Sequence, residues 1–271
     1  MNSQGDRFAG HARLHGHDPV DSGADTSGTQ WSGRLLTPSP FAGDSGSPDA
    51  PVRAALVAVA TADRARLSAR ERDLVGALAS ARLFAAVQAV PAQVDTSGAW
   101  AREIESDMAS PVLTAPDGRR AMPLFTGLDT LGEWRADARP VPVGMADAAT
   151  AALEDACDVV LLDLGSPAAA VLRLSQLWAL AQRRLWLPAH EDPVVGAALD
   201  AAVRGRPEIL NAHLEDGSVH APGVTRLVLG LRAGLTQPQV RDLTEIVGRA
   251  LATEPEIRLR IDDIAMVLRG A

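Results

Sequence analysis

The sequence predicts an α+β fold: a mixed sheet flanked by helices, a smaller C-terminal ββαβ unit, and a disordered N-terminal tail. Two largely apolar runs, residues 83–90 and 157–164, have the length and composition of buried strands. Amphipathic helical stretches precede these runs. A Pro-Asp-Gly turn at residues 116–118 marks an antiparallel hairpin, so the sheet contains more than one strand direction.

The composition narrows the classes of function. The chain has 271 residues and a net charge of −8 at pH 7, which argues against binding to nucleic acid or to an anionic membrane. It contains no lysine, so Schiff-base chemistry and a P-loop lysine are excluded. Cys157 is the single cysteine, so no internal disulfide can form, and we expect a cytoplasmic protein. We also expect no cofactor.

Three segments are predicted. Residues 1–48 form a disordered tail, because 28 of the first 50 residues are Gly, Ser, Pro, Asp or Thr and the apolar ones follow no period. Residues 49–204 form the main domain, and residues 205–271 form a small C-terminal domain after a Gly-Arg-Pro break. The Gly-Asp-Ser-Gly at residues 43–46 matches the surroundings of the trypsin-like nucleophile, but no barrel precedes it and we set that interpretation aside.

Capping and periodicity predict the first elements of the main domain. Asp49 is placed to cap a helix over residues 52–60. Ser68 and Glu71 have the spacing of a capping box, which predicts the start of the next helix. Residues 83–90 then form a central strand.

The next segment combines a hairpin with a short helix. Gly118 supplies the positive φ of the turn. Pro123 donates no ladder hydrogen bond, so its strand has a free side at that point. Residues 128–134 have the spacing of a short helix, and the two prolines in residues 139–143 predict an edge strand or a polyproline segment.

The second half of the main domain continues the alternation. A helix is predicted over residues 145–156 and a strand over residues 157–164, and Ser175 is placed to cap the next helix. The His-Glu-Asp-Pro sequence at residues 190–193 resembles a catalytic cluster. Because aspartate directly before proline is typical of a helix start, we assign Asp192 to capping.

The C-terminal domain is predicted as ββαβ. Residues 209–214 and 224–231 form two strands around a Glu-Asp-Gly-Ser turn, and Thr236 caps a helix with one apolar stripe. Residues 257–261 alternate as a strand, and residues 264–268 form another.

A set of short motifs in the main domain carries a family resemblance. They are Ala81-Arg82-Leu83, Asp107-Met108, Pro111-Val112-Leu113, Asp117-Gly118-Arg119, Ala121-Met122-Pro123-Leu124-Phe125-Thr126, Leu131, Trp134, Arg139-Pro140-Val141-Pro142-Val143 and Leu162-Asp163. In this combination they resemble the N-terminal domain of the SseB family, named for enhanced serine sensitivity. The resemblance implies a bacterial α/β domain without established catalytic residues. Gly127 stands where a serine is common in the family.

The first candidate site is a metal site at the turn of residues 215–218. In a two-residue type I′ turn, His213 pairs with His220 and Glu215 lies on the same face, an arrangement that suits zinc. In a three-residue turn with a glycine bulge, the register slips by one and the histidines point to opposite faces. The sequence leaves both registers open, so we assign no metal.

The second candidate is Asp163, at the end of the strand predicted over residues 157–164. Carboxyl ends of central strands are where α/β folds place ligand groups, but accepting hydrogen bonds from loop amides is the simpler interpretation. Cys157 begins the same strand and should be a buried, unreactive thiol.

The third candidate is a binding surface around the hairpin and the short helix. Core packing accounts for many of its apolar side chains, but strands broken by proline leave apolar surface partly open, which is typical of a partner site. Arginines at its rim could recognise carboxylates. The proposed members are Met108, Arg119, Arg120, Met122, Phe125, Leu128, Trp134, Arg135, Arg139 and Pro140.

These observations predict a non-catalytic cytoplasmic protein that binds or regulates another protein. The alternative is a sensor of a small molecule, an amino acid as the family name suggests. A hydrolase or metal enzyme that uses Asp163 or the two histidines comes third. A flat apolar patch would favour the binding protein, a closed pocket with converging Arg and Asp the sensor, and a polar cleft with two titratable groups the enzyme.

Overall fold

The computed structural model describes residues 41–91, 94–95, 102–103, 106–109 and 111–270, and the side chains of residues 41–87 and 111–270. Asp44–Ala271 form one compact unit. Helices and mixed sheets confirm the predicted α+β class. Most of the predicted tail lies outside the described residues, and the domain boundaries at 48 and 204 stay predictions.

Helices and strands follow one another through most of the described chain. The helices are α1 (Ala50–Ala60), α2 (Leu67–Leu78), α3 (Leu128–Trp134), α4 (Met145–Glu154), α5 (Leu174–Ala181), α6 (Pro193–Val203), α7 (Gln237–Thr253) and α8 (Pro255–Arg260). The strands are β1 (Arg82–Pro91), β2 (Val94–Asp95), β3 (Arg102–Glu103), β4 (Ser106–Ala109), β5 (Leu113–Thr114), β6 (Arg120–Phe125), β7 (Arg139–Gly144), β8 (Val159–Leu162), β9 (Ala170–Leu172), β10 (Ile209–Asp216), β11 (Val224–Leu231) and β12 (Asp263–Gly270). None of the helices described is long and apolar enough to cross a membrane.

A seven-stranded sheet is built around β1 and β6. Its order is β4-β1-β6-β8-β9, with β7 also paired to β1 and β5 to β6. β6 and β8 run parallel, whereas the other pairs are antiparallel. Gly118 has a φ of 85° in the turn between β5 and β6, as predicted. The two prolines lie on β7, which pairs with β1 alone and is an edge strand as the sequence predicted.

The two faces of this sheet have different covers. The largest core lies between one face and helices α1, α2, α4 and α5, and includes Leu83, Leu124 and Val160. Side chains alternate along a strand, so Phe84 and Phe125 point to the second face, where α3 packs on them through Leu131. In residues 41–91 and 111–270, the helix that packs on the second face is therefore the short α3.

A three-stranded sheet of order β10-β11-β12 forms the C-terminal part. β11 is antiparallel to β10 and parallel to β12. Leu227 and Leu229 of β11 point to one face and pack on Val247 and Leu251 of α7. Leu199 of α6 joins the same core, although the sequence assigned that helix to the main domain.

Two predicted helix caps are wrong. α2 begins at Leu67, so Ser68 lies inside the helix and is buried with Glu71 instead of capping it. α5 begins at Leu174, and Ser175 donates its hydroxyl to Asp262 at 2.9 Å. Glu71 instead pairs with Arg173 and Ser175 with Asp262, both of which are distant in sequence.

The strand predicted over residues 257–261 is also wrong. Residues 255–260 form α8, because Pro255 occupies the first helical position, where it is well tolerated, and two arginines lie in the last turn. Ile257 is the buried residue of this helix. The C-terminal unit is therefore ββααβ.

Candidate functional site

The short helix α3 positions only part of the predicted binding surface. Phe125 is fully buried, and the Trp134 ring lies against it with ring centroids 5.1 Å apart. The guanidinium of Arg135 lies 5.2 Å from the centroid of the Trp134 ring in a cation–π contact. Leu128, at the start of α3, is exposed. The surface of α3 thus presents Leu128, Trp134 and Arg135, while Phe125 belongs to the core.

Other predicted members of that surface lie elsewhere. Arg120 is at the opposite end of β6 from Phe125, about 17 Å away along an extended strand, and Arg119 precedes that strand. Arg119 bonds an aspartate of its own turn at 2.7 Å. Arg139 is exposed at the start of β7, and the side chain of Met108 lies outside the described residues. The structure therefore does not bring the turn arginines and Phe125 together.

Asp163 is buried directly after β8 and is saturated with hydrogen bonds. One carboxylate oxygen accepts from the backbone N–H of Thr126 at 2.7 Å and from the hydroxyl of Thr130 at 2.8 Å. The other accepts from the hydroxyl of Thr126 at 2.7 Å. Its φ of 47° lies in the left-handed region, which aspartate tolerates better than most residues. These bonds match the structural interpretation, in which the carboxylate fixes the turn between β6 and α3.

The segment that precedes α1 is attached to the same turn. Asp44 pairs with Arg82, and this guanidinium also donates to the carbonyl oxygens of Ser47 and Thr126, each at 2.8 Å. Asp44 in addition accepts from the backbone N–H of Gly46 at 2.7 Å. The Asp-Ser-Gly portion of the protease-like tetrapeptide is therefore a turn held by an ion pair.

The absence of a side chain at Gly127 allows Pro48 of this segment to approach the backbone closely. A Cβ atom at this position would lie 2.7 Å from Cγ of Pro48 and 2.2 Å from Oδ1 of Asp129. A side chain here would therefore require Pro48 or the start of α3 to shift. The absence of a serine at this position goes together with the close approach of Pro48.

Both registers predicted for the histidine hairpin are wrong. β10 extends to Asp216 and pairs with β11 so that His213 lies opposite Val228. The connection runs through residues 217–223, and His220 lies inside it, where its N–H donates to the carbonyl of Gly217 at 2.8 Å. The loop is longer than either predicted turn. No group of three or more His, Cys, Asp or Glu side chains in the described part of the chain is arranged to hold a metal ion.

Glu215 instead organises a charged cluster on one face of the three-stranded sheet. It lies 3.1 Å from Nε2 of His213, 3.1 Å from Arg226 and 3.5 Å from Arg269. The hydrogen bond from His213, followed by the charges of the two arginines, lowers the pKa of Glu215 below its ordinary value. One carboxylate thus holds three basic side chains on an exposed face.

A buried ion network joins the two parts of the molecule. Arg173 donates to both carboxylate oxygens of Glu71 at 2.7 and 2.8 Å, and to Asp262 at 2.8 Å. Asp262 also accepts from the backbone N–H and the hydroxyl of Ser175, each at 2.9 Å. Burial alone would lower the pKa of Arg173, but the bonds and charges of Glu71 and Asp262 raise it above its usual range.

A small polar cavity adjoins this network. Its volume of about 20 Å³ has room for about one water molecule. Ser68 Oγ and Arg260 Nε, two buried atoms without a protein hydrogen-bond partner, belong to residues that line it. Arginine and acidic side chains do converge here, but the Arg173 guanidinium and the two carboxylates beside it are already paired with each other.

A further candidate site is the second face of the seven-stranded sheet, beside α3. Six apolar residues share this face in register across β5, β6, β8 and β9. Leu161 lies between Pro123 and Val171 in one row, and Ala121 lies between Leu113 and Val159 in the next. Val171 is 50% exposed, Val159 and Leu161 are partly exposed, and Pro123 is buried. These six residues, Leu113, Ala121, Pro123, Val159, Leu161 and Val171, are called the open sheet face below.

The sequence contained a signal for this face that was not recognised. β8 is apolar at every position, which is typical of a strand covered on both sides. Val160 and Leu162 do enter the core under the helices. Val159 and Leu161 point to the other side and are only partly buried. The composition of β8 therefore indicates a second cover, which α3 does not supply within the part of the chain that the structure describes.

Fold and surface together define an α+β domain with an apolar sheet face as a candidate site. Residues 52–179, from α1 into α5, match the family model described as SseB protein N-terminal domain. This match confirms the predicted resemblance to the SseB N-terminal domain over these residues. Comparison with curated proteins and with solved structures gave no match. The matched segment contains the whole open sheet face.

Proposed function

We propose that this chain is a non-catalytic cytoplasmic protein that binds another protein through the open sheet face. The observation that carries the proposal is the apolar row Pro123, Leu161 and Val171 beside α3, in which Pro123 is buried while Leu161 is partly and Val171 half exposed. Covering apolar surface yields about 25 cal/mol for each Å² removed from water. A partner that seats on this row gains that free energy without any reactive group.

The width of the face favours a helix as the occupant. Neighbouring strands lie about 4.8 Å apart, so β6, β8 and β9 together span about 10 Å. An α-helix with its side chains is about 10 to 12 Å wide. Beside this strip, α3 already packs as a helix on the same face. The apolar side of a partner helix would extend the layer that α3 begins.

The polar sites support the proposal over the two alternatives. The cavity beside Arg173 has a volume of about 20 Å³, which holds about one water molecule and is too small for an amino acid. The Asp163 carboxylate is occupied by Thr126 and Thr130. A binding role therefore requires only the open sheet face. A sensor or an enzyme would depend on polar side chains that already form hydrogen bonds and ion pairs within the fold.

Paired substitutions of equal exposure test the proposal. Val171→Arg introduces a charge into the open sheet face, and Val57→Arg introduces the same charge on α1, where the valine is 49% exposed against 50% for Val171. After crosslinking in native lysate, we expect a protein captured by the wild type and by Val57→Arg to be lost from Val171→Arg. Hydrogen exchange of the purified complex should slow in β8 and β9.

Two results would contradict the proposal. One is recovery of the same partners by all three proteins. The other is a complex in which exchange slows outside β8 and β9 and these strands are unchanged. A dye that reports accessible apolar surface, 8-anilinonaphthalene-1-sulfonate, gives a measurement without a partner, and its fluorescence should fall for Val171→Arg and stay unchanged for Val57→Arg.

A further inference from the structure

Among the residues that the structure describes, the strand β12 is an unprotected edge of the three-stranded sheet. It pairs with β11 along one side over its whole length. Soluble proteins usually block such an edge with proline, lysine, a bulge or a very short strand. β12 has eight residues and none of these features, and its five central residues are Ile-Ala-Met-Val-Leu. An edge of this kind favours the addition of another strand.

The charges at the two ends of β12 complement each other under a two-fold rotation. If two β12 strands pair antiparallel around Met266, Asp263 of each copy lies directly opposite Arg269 of the other. Ile264 then pairs with Leu268. In antiparallel strands, directly opposite residues lie on the same face, so both Asp–Arg pairs form on the face that carries Glu215.

The helix-facing side of β12 is also self-complementary. Ile264 lies at a groove of about 230 Å³ between α7 and β12, which Leu251 and Ala252 also line. Leu268 shares this side of the strand and is 44% exposed. In the two-fold pairing, Leu268 of one copy lies beside Ile264 of the other and projects toward this groove. An exposed apolar side chain and an apolar groove thus coincide.

We propose that two copies of this chain associate through β12 around a two-fold axis at Met266, joining two three-stranded sheets into one of six strands. Gly248 of α7 supports the geometry, because its missing side chain lets the helix approach Met266 closely: a Cβ there would lie 3.0 Å from Met266 Cε. This interface lies on the C-terminal unit and is independent of the open sheet face.

Charge reversal tests the pairing. Asp263→Arg places two arginines opposite each other, and Arg269→Asp places two aspartates opposite each other. In sedimentation equilibrium, the wild type should be a dimer, and each single variant should lower the association constant by about tenfold or more, because like charges face each other twice in the dimer. The matched controls Asp200→Arg and Arg241→Asp, exposed on α6 and α7, should leave it unchanged.

Mixing the two single variants separates this interface from misfolding and from other dimers. A copy with Asp263→Arg and a copy with Arg269→Asp restore both opposite-charge pairs between them, so the equal mixture should form heterodimers at wild-type affinity. The double variant Asp263→Arg/Arg269→Asp should also dimerise. The proposal is overturned by a monomeric wild type at its highest soluble concentration, by single variants that dimerise as well as the wild type, or by a mixture that stays monomeric.

Discussion

The two sheets of this molecule are covered by helices on one face and differ on the other. The second face of the seven-stranded sheet carries the open sheet face, whose six residues are all apolar. The corresponding face of the three-stranded sheet carries His213, Glu215, Arg226 and Arg269 in one charged cluster. Exposure of apolar side chains to water is unfavourable, whereas the charged side chains of the cluster are hydrated and form ion pairs with one another.

This difference separates a face that needs a cover from one that does not. On the charged face, the central Val228 is fully buried, although it does not belong to the core formed with α6 and α7. On the apolar face, Val171 is half exposed. Where no side chain of the same sheet supplies the cover, another molecule can do so.

The largest expected effect on the free energy of unfolding comes from breaking the buried ion network of Arg173, Glu71 and Asp262, the link between the parts that carry the two sheets. Arg173→Met should lower the free energy of unfolding by about 3 to 5 kcal/mol, because it leaves Glu71 and Asp262 as buried carboxylates without their partner. Urea denaturation followed by circular dichroism measures this change. Arg70→Met removes an exposed pair with Asp73 and should cost less than about 1 kcal/mol. Equal effects of the two substitutions would contradict the assigned role of the link.

A matched pair of substitutions addresses the comparison of the two faces directly. Val228→Arg should lower the free energy of unfolding by about 3 kcal/mol or more, because it forces a charge into a site with no exposed surface. Val171→Arg should change it by no more than about 0.5 kcal/mol. Thermal and urea unfolding of both variants provide the measurement. If Val171→Arg were as costly as Val228→Arg, the open sheet face would belong to the core.

The turn between β6 and α3 should depend on Asp163 to a smaller extent. Asp163→Ala removes the acceptor for Thr126 and Thr130 and should lower the free energy of unfolding by about 1 to 3 kcal/mol. Asp163→Asn keeps an acceptor oxygen and a residue that tolerates positive φ, so it should recover part of this loss. Identical losses for both variants in urea denaturation would argue against the hydrogen-bond explanation.

The smallest effect concerns the charged face and pH. The pKa of Glu215 is lowered in the folded state, first by the hydrogen bond from His213, so its contribution to stability is present above its unfolded value and is lost as pH falls through the folded value. The melting temperature of the wild type should exceed that of Glu215→Gln at neutral pH, and the difference should shrink below pH 4.5. Glu133→Gln on α3 serves as control. A difference that grows at low pH would reverse the assigned sign.

Local patterns predicted much of the fold. The apolar run of β1, the Pro-Asp-Gly turn before β6 and the proline-rich β7 each depend on residues close in sequence, and the structure confirms all three. Asp192 caps α6 through the N–H of Val194 at 2.9 Å, as its position before proline predicted. These features could be predicted from the sequence because the interacting residues are close together in it.

Long-range partners account for what the sequence did not predict. Glu71 has the spacing of a capping residue, yet it binds Arg173, 102 positions away, and Asp262 binds the same guanidinium from 89 positions away. No local pattern contains such pairs. The exposure of Val171 is a similar case, since it depends on which helices reach the second face and not on the composition of β9.

The prolines at positions 140 and 142 affect how this protein can aggregate at high concentration. Pro140 and Pro142 lack backbone N–H groups, so the outer edge of β7 has few hydrogen-bond donors for the addition of another strand. Whatever strand exchange or fibril seeding this molecule is prone to must therefore start elsewhere than on that edge.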